Sequence, residues 1–99
     1  MDTVTYPQKD VQTLIREHFR LMDAIDRQDW PAAKAYAQEA LRLTAGDLTR
    51  EPEALYWSAV ITYMTSTHHT GLRDGWEFLM RRFPDSDWSK KAEFIRHLH

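Results

Sequence analysis

An all-α fold built of antiparallel helix hairpins is what this sequence predicts, and three observations carry the prediction. Apolar residues recur at spacings of three and four almost throughout, the period of amphipathic helices. Glycine and proline are scarce, three and four in 99 residues. β-Branched runs are absent, so nothing in the pattern asks for a strand. The length suits one domain with one core. At 42% hydrophobic and 28% charged residues the chain has the composition of a folding domain, not of a disordered one. Four tryptophans, Trp30, Trp57, Trp76 and Trp88, supply bulk to a core that small size otherwise limits. Residues 9–99 are expected to form this domain, and 1–8 an amino-terminal tail that is either disordered or laid across a groove.

Five helices account for the pattern. The first, about Lys9 to Gln28, places Val11, Leu14, Ile15, His18, Met22 and Ile25 on one face, with an Asp23–Arg27 pair at i,i+4. Arg27-Gln28-Asp29 is then a tight turn. Asp29 caps the second helix, where Pro31 fits the first turn because no hydrogen bond is demanded of it. This helix carries Ala33, Tyr36, Ala37, Ala40 and Leu41 on one face and ends near Gly46. Its small residues imply close approach of a neighbour. A loop through Asp47 to Glu51 leads to a third helix, about Pro52 to Thr67, started by Thr49 or Arg50. The stretch Thr65 to Gly71 is poor in helix formers, so a turn falls within it, with Thr70 as the expected cap of a fourth helix over Gly71 to Phe83. Leu72, Trp76, Leu79, Met80 and Phe83 are in register there, and Pro84 ends the helix. Asp85 or Ser86 caps the fifth helix, whose stripe of Trp88, Ala92, Ile95 and Leu98 suits a lid over the preceding hairpins.

The stretch from Arg27 to Leu43 resembles the centre of a tetratricopeptide repeat, with Ala33, Ala37 and Ala40 at the family's small, large and small positions and alanine in place of the usual central aromatic. In the second hairpin Tyr56, Ala59, Val60 and Tyr63 match the family's Trp, Leu, Gly and Tyr, and Leu72, Trp76, Leu79 and Pro84 its Ala, Phe, Ala and Pro. Ala33 and Leu72 stand 39 positions apart, against about 34 in the regular repeat, which puts an insertion of about five residues after Gly46. Phe83 to Ala92 is similar to the junction between repeats in bacterial tetratricopeptide-like envelope-assembly proteins. The resemblance covers Leu14 to Ala92 and implies two repeats with a carboxy-terminal capping helix. It also implies a concave groove, lined by the first helix of each pair, that receives a partner's peptide or helix.

The third helix is apolar on more than one face, with Tyr56, Ala59, Val60 and Tyr63 on one and Trp57, Ile61 and Met64 on another, so it must be covered twice. Either its neighbours cover both faces, or one face stays open for a partner. On the second reading the partner-binding residues are Ile15, His18, Met22 and Ile25 on the first helix and Trp57, Ile61 and Met64 on the third, an apolar strip with Met and Trp that suits an amphipathic helix. The function expected is protein–protein interaction, as an adaptor, scaffold or chaperone-like domain. The alternative is self-association of two copies through the same strip within a larger assembly.

Other chemistries find little footing. With no cysteine there is neither a disulfide framework nor a thiolate site. His68 and His69 are adjacent, His97 and His99 sit at the terminus, and no pair has i,i+4 spacing, so neither a metal nor another cofactor is expected. Asp23, Asp26 and Asp29 and the serines Ser58, Ser66, Ser86 and Ser89 belong to no nucleophile elbow, phosphate loop or metalloprotease helix, and no enzymatic activity is expected. Net charge is −2 with the signs interspersed, and the basic concentration of Arg81, Arg82, Lys90, Lys91 and Arg96 falls near helix ends where it favours the helix dipole. A small nucleic-acid-binding regulator is therefore the less favoured reading. Neither a secretion signal nor a membrane span is legible, which points to the cytoplasm, with the periplasm as the alternative for a trimmed mature fragment.

Overall fold

The structure is a computed structural model that describes residues 11–66 and 68–93. Among these residues it is all helical: α1 (Val11–Asp26), α2 (Trp30–Thr44), α3 (Glu51–Ser66), α4 (His69–Arg82) and α5 (Asp87–Ala92). Each helix packs on the next, and α3 also meets α5, which is the arrangement of successive helical hairpins. The tail expected over 1–8, the first residues expected of the first helix, and Ile95 and Leu98 of the last lie outside the described residues.

Local chemistry explains most of the boundaries. α1 closes in a Schellman turn: Gln28 adopts a left-handed φ of 58°, its N–H donates to Ile25 O, and the Asp29 N–H donates to Ala24 O. Asp29 then accepts from the Ala32 N–H at 3.3 Å, with Pro31 in the first turn of α2. Ser86 caps α5 by accepting from the Trp88 N–H. Two starts differ from expectation. α3 is led by Asp47, whose Oδ1 accepts from the N–H groups of Thr49 and Arg50 at 3.0 and 3.1 Å; an Asx turn does the work assigned to Thr49 or Arg50. α4 begins at His69, with His68 in the cap position making no side-chain cap bond, so Thr70 lies inside the first turn and not ahead of it. Thr65 and Ser66 return their hydroxyls to the Thr62 carbonyl in the last turn of α3, which runs to Ser66, close to its expected end.

Two apolar clusters sit on either flank of α3. Leu21 and Ala24 of α1, Ala33 and Ala37 of α2 and Ile61 of α3 form one. Ala59 of α3, Trp76, Leu79 and Met80 of α4 and Ala92 of α5 form the other, with Tyr56, Leu72, Phe83 and Trp88 packed against it. Tyr56 stacks on Trp76 at 5.0 Å between ring centroids and meets Trp88 at the same distance, while Trp76 Nε1 donates to the Tyr56 carbonyl at 3.2 Å. Ser89, also buried, donates its hydroxyl to the carbonyls of Leu79 and Phe83 at the end of α4. Glu51 is buried and accepts from the Gly46 N–H at 3.1 Å and from Arg82 Nη2 at 3.4 Å, joining the α2–α3 loop to the end of α4. Pairing is what makes a carboxylate tolerable there.

The α3–α4 contact is close enough to require glycine. A Cβ on Gly75 would lie 2.6 Å from the Ala59 Cβ, and one on Gly71 3.0 Å from Thr62 Cγ2. On an open helix face Gly→Ala stabilises by about 1 kcal/mol; here overpacking reverses the sign. Gly75→Ala is expected to lower stability by about 1–3 kcal/mol in urea denaturation, and Ala59→Gly added to it should restore part of the loss. A second test is acid. Partial burial alone would raise the Asp47 pKa, but its bonds to the Arg50 guanidinium and to the Arg50 and Thr49 N–H groups together outweigh that and hold it below the usual carboxylate value. A depressed folded-state pKa contributes stability that is complete above the unfolded value, about 3.9, and is lost as pH falls through the folded value. The acid-side loss of urea stability is expected to be shallower in Asp47→Asn than in the parent.

A candidate protein-binding cleft between the first and third helices

α1 and α3 both lie on α2, but their backbones stay more than 8 Å apart between Cα atoms. Their side chains meet where Leu21 and Ile61 share one cluster. The separation leaves an apolar cleft of about 430 Å³. Leu14, Ile15, His18, Phe19 and Leu21 form the α1 wall, Ala54 and Trp57 the α3 wall, and Ala40, Leu43 and Thr44 of α2 the floor, with Glu17, Arg50 and Glu53 at the edges. The wall of α1 continues outward into open surface, since Ile15 is 50% and Phe19 65% exposed.

Of the seven residues that the sequence points to, Ile15, His18 and Trp57 are brought together here. Met22 and Ile25 are half-buried and pack into the α1–α2 cluster. Met64 is exposed, further along α3 and away from the cleft lining. Ile61 is 1% exposed, so the core takes it and no partner can reach it in this conformation. The two readings of α3 thus divide along its length: Ile61 is covered by the fold, while Trp57, one turn earlier, borders the opening. Sequence reasoning passed over Phe19, Leu43 and Glu53. Phe19 stands at i+4 from Ile15 and Leu43 at i+3 from Ala40, spacings that mark a shared face; Glu53 carries no periodic signal, because a carboxylate in a first turn is ordinary.

Polar groups are few and fixed. Trp57 Nε1 donates to Glu53 Oε2 at 3.3 Å, which pins the indole against the α3 wall, and His18 Nδ1 lies 3.8 Å from the same oxygen across the cleft. Arg20 turns to Glu17 at 3.1 Å and Arg50 to Asp47 at 3.1 Å. Five of the seven serines and acids set aside above do structural work: Asp23 pairs with Arg27, Asp29 and Ser86 cap helices, and Ser66 and Ser89 donate to carbonyls. In the basic concentration, Arg82 pairs with Glu51 and Lys91 sits 4.2 Å over the Trp88 ring; Arg96 lies outside the described residues. Among the described residues, no three His, Asp or Glu side chains gather as a metal site would need, and no helix is long and apolar enough to cross a membrane.

Comparison of the chain with models of protein families, with curated proteins and with solved structures finds no match in any of the three. The geometry of the cleft alone carries the functional reading.

Core and cleft residues separate by their response to substitution. Ile61→Ala is expected to cost about 2–5 kcal/mol, since the removed side chain is enclosed on all sides. Phe19→Ser is expected to stay within about 0.5 kcal/mol of the parent. Urea denaturation of the two variants checks both, and a large loss in Phe19→Ser would mean that Phe19 is a core residue.

Proposed function

We propose that this chain is a protein-binding domain of tetratricopeptide-like hairpins that holds an amphipathic helix or peptide of a partner in the α1–α3 cleft. The observation that carries the reading is the cleft itself, apolar on both walls and floor, continuous with the exposed Ile15 and Phe19. Exposed aromatic and aliphatic side chains beside a preformed apolar concavity are what a helix lying in a groove uses as anchors. The repeat-like character is supported by the buried Ala33 and Ala37 on the second helix of the first pair and by the close α3–α4 packing in the second. Lining from the first helix of each pair is also what the family resemblance implies.

The test is a titration of the isotope-labelled chain with a synthetic helical peptide carrying apolar residues at i, i+3, i+4 and i+7, against a scrambled peptide of the same composition. Backbone amide shifts are expected between Leu14 and Leu21, at Leu43 and between Glu53 and Trp57. They should appear with the patterned peptide only and vanish in the Ile15→Ser, Phe19→Ser double variant. Absence of localised shifts with the patterned peptide would sink the proposal.

A further inference from the structure

The edge of the cleft carries more information than its apolar walls. Glu53 stands in the first turn of α3, at the edge of the cleft. One of its oxygens takes the single N–H of Trp57. A carboxylate offers about four acceptor positions, so most of its capacity is left for water. Among the described residues neither arginine of the cleft region serves it, because Arg20 is held by Glu17 and Arg50 by Asp47. Among the described residues, the group that faces it across the cleft is His18, at 3.8 Å. A partner that fills the cleft removes the water from Glu53, and an ionised carboxylate stripped of water without a cationic or hydrogen-bonding replacement is costly.

We infer that the segment held in the α1–α3 cleft is a cationic amphipathic helix, whose apolar residues lie between Phe19 and Trp57 and whose Lys or Arg reaches Glu53. The inference rests on the helix-holding reading above and adds the chemistry of the occupant. A guanidinium or ammonium gives Glu53 a charge-assisted bond in a partly dry site, so the charge acts in selection against neutral and acidic helices of the same apolar pattern. A helix that carries its own acid at this point would set two carboxylates together under desolvation.

The test uses the full chain and three synthetic peptides with one apolar stripe, flanked by Lys in the first, Gln in the second and Glu in the third. Affinity is read from Trp fluorescence and the site from amide shifts. The Lys peptide is expected to bind at least about tenfold more tightly than the Glu peptide, with the Gln peptide between them. Glu53→Gln keeps an acceptor for Trp57 Nε1 and should abolish most of the Lys-over-Gln preference. Asp85→Asn, an exposed acid outside the cleft lining, removes the same charge and should leave the preference intact. If both variants reduce it equally, the effect is the overall negative charge of the chain and the inference fails. If all three peptides bind alike with shifts in the cleft, the inference fails while the helix-holding reading stands. If none binds a folded monomer, both fail. If sedimentation shows a concentration-dependent dimer that Phe19→Ser dissolves, the occupant is a second copy of this chain and the cationic helix is overturned.

Discussion

Ile61 and Ala59 are two residues apart on α3, which turns them about 200° round the helix axis, and both are buried. A helix buried on opposite flanks needs a neighbour on each. α1 and α2 close the side of Ile61, and α4 and α5 close the side of Ala59. The two flanks are closed by different means. Around Ile61 small partners, Ala24, Ala33 and Ala37, allow a large side chain to seat between helices. Around Ala59 the relation is reversed: the α3 residue is small, Gly75 faces it without a side chain, and the bulk comes from Trp76, Leu79 and Met80 on α4. Matching small against large on each flank is what lets one short helix reach interior packing density on two sides.

The cleft follows from where this matching stops. Past the first turn of α3, the residues facing α1 are Ala54 and Trp57, and the floor supplied by α2 is Ala40 and Leu43. Alanines on wall and floor leave space that the α1 side chains do not fill, because Ile15 and Phe19 stand largely in solvent. Trp57 cannot swing across to fill it while its indole N–H is held by Glu53 on its own helix and its ring lies edge-on to Tyr56. The opening is therefore a property of the rigid elements on either side of it, and a site on rigid elements costs little ordering when it is occupied.

Much of the framework was legible in the chain. Asp29 with Pro31, the alanine face of α2, the Trp76–Leu79–Met80 stripe and the Ser86 cap all act through contacts within a few residues or through a strict helical period, and these are local signals. The misses are of two kinds. One is the start of α4: Thr70 reads as a cap before Gly71, but the helix begins at His69 and takes Thr70 into its first turn. The other kind is rotational. Periodicity groups Trp57, Ile61 and Met64 on one face, but how far each neighbouring helix covers that face decides that Trp57 borders an opening, Ile61 is enclosed and Met64 is exposed. No one-dimensional pattern contains that coverage. The importance of Gly75 is hidden for the same reason, since only the partner helix shows what a Cβ there would strike.

The division of labour along α1 bears on why an exposed apolar edge persists in so small a domain. Its second half, Leu21 to Ile25, does the packing against α2 and α3, and its first half contributes walls to the cleft but little to the core. Burial of a side chain as large as phenylalanine contributes about 1.5–3 kcal/mol, so the fold forgoes a useful fraction of a total stability of about 5–15 kcal/mol by leaving Phe19 in water. A serine or lysine at that position would cost the fold nearly nothing and would remove an aggregation-prone surface. Stability therefore gives no reason for Ile15 and Phe19 to be apolar; on the proposed reading, an occupant of the cleft would cover them together with Leu14, Leu43 and Trp57 and recover the burial that folding alone leaves unused.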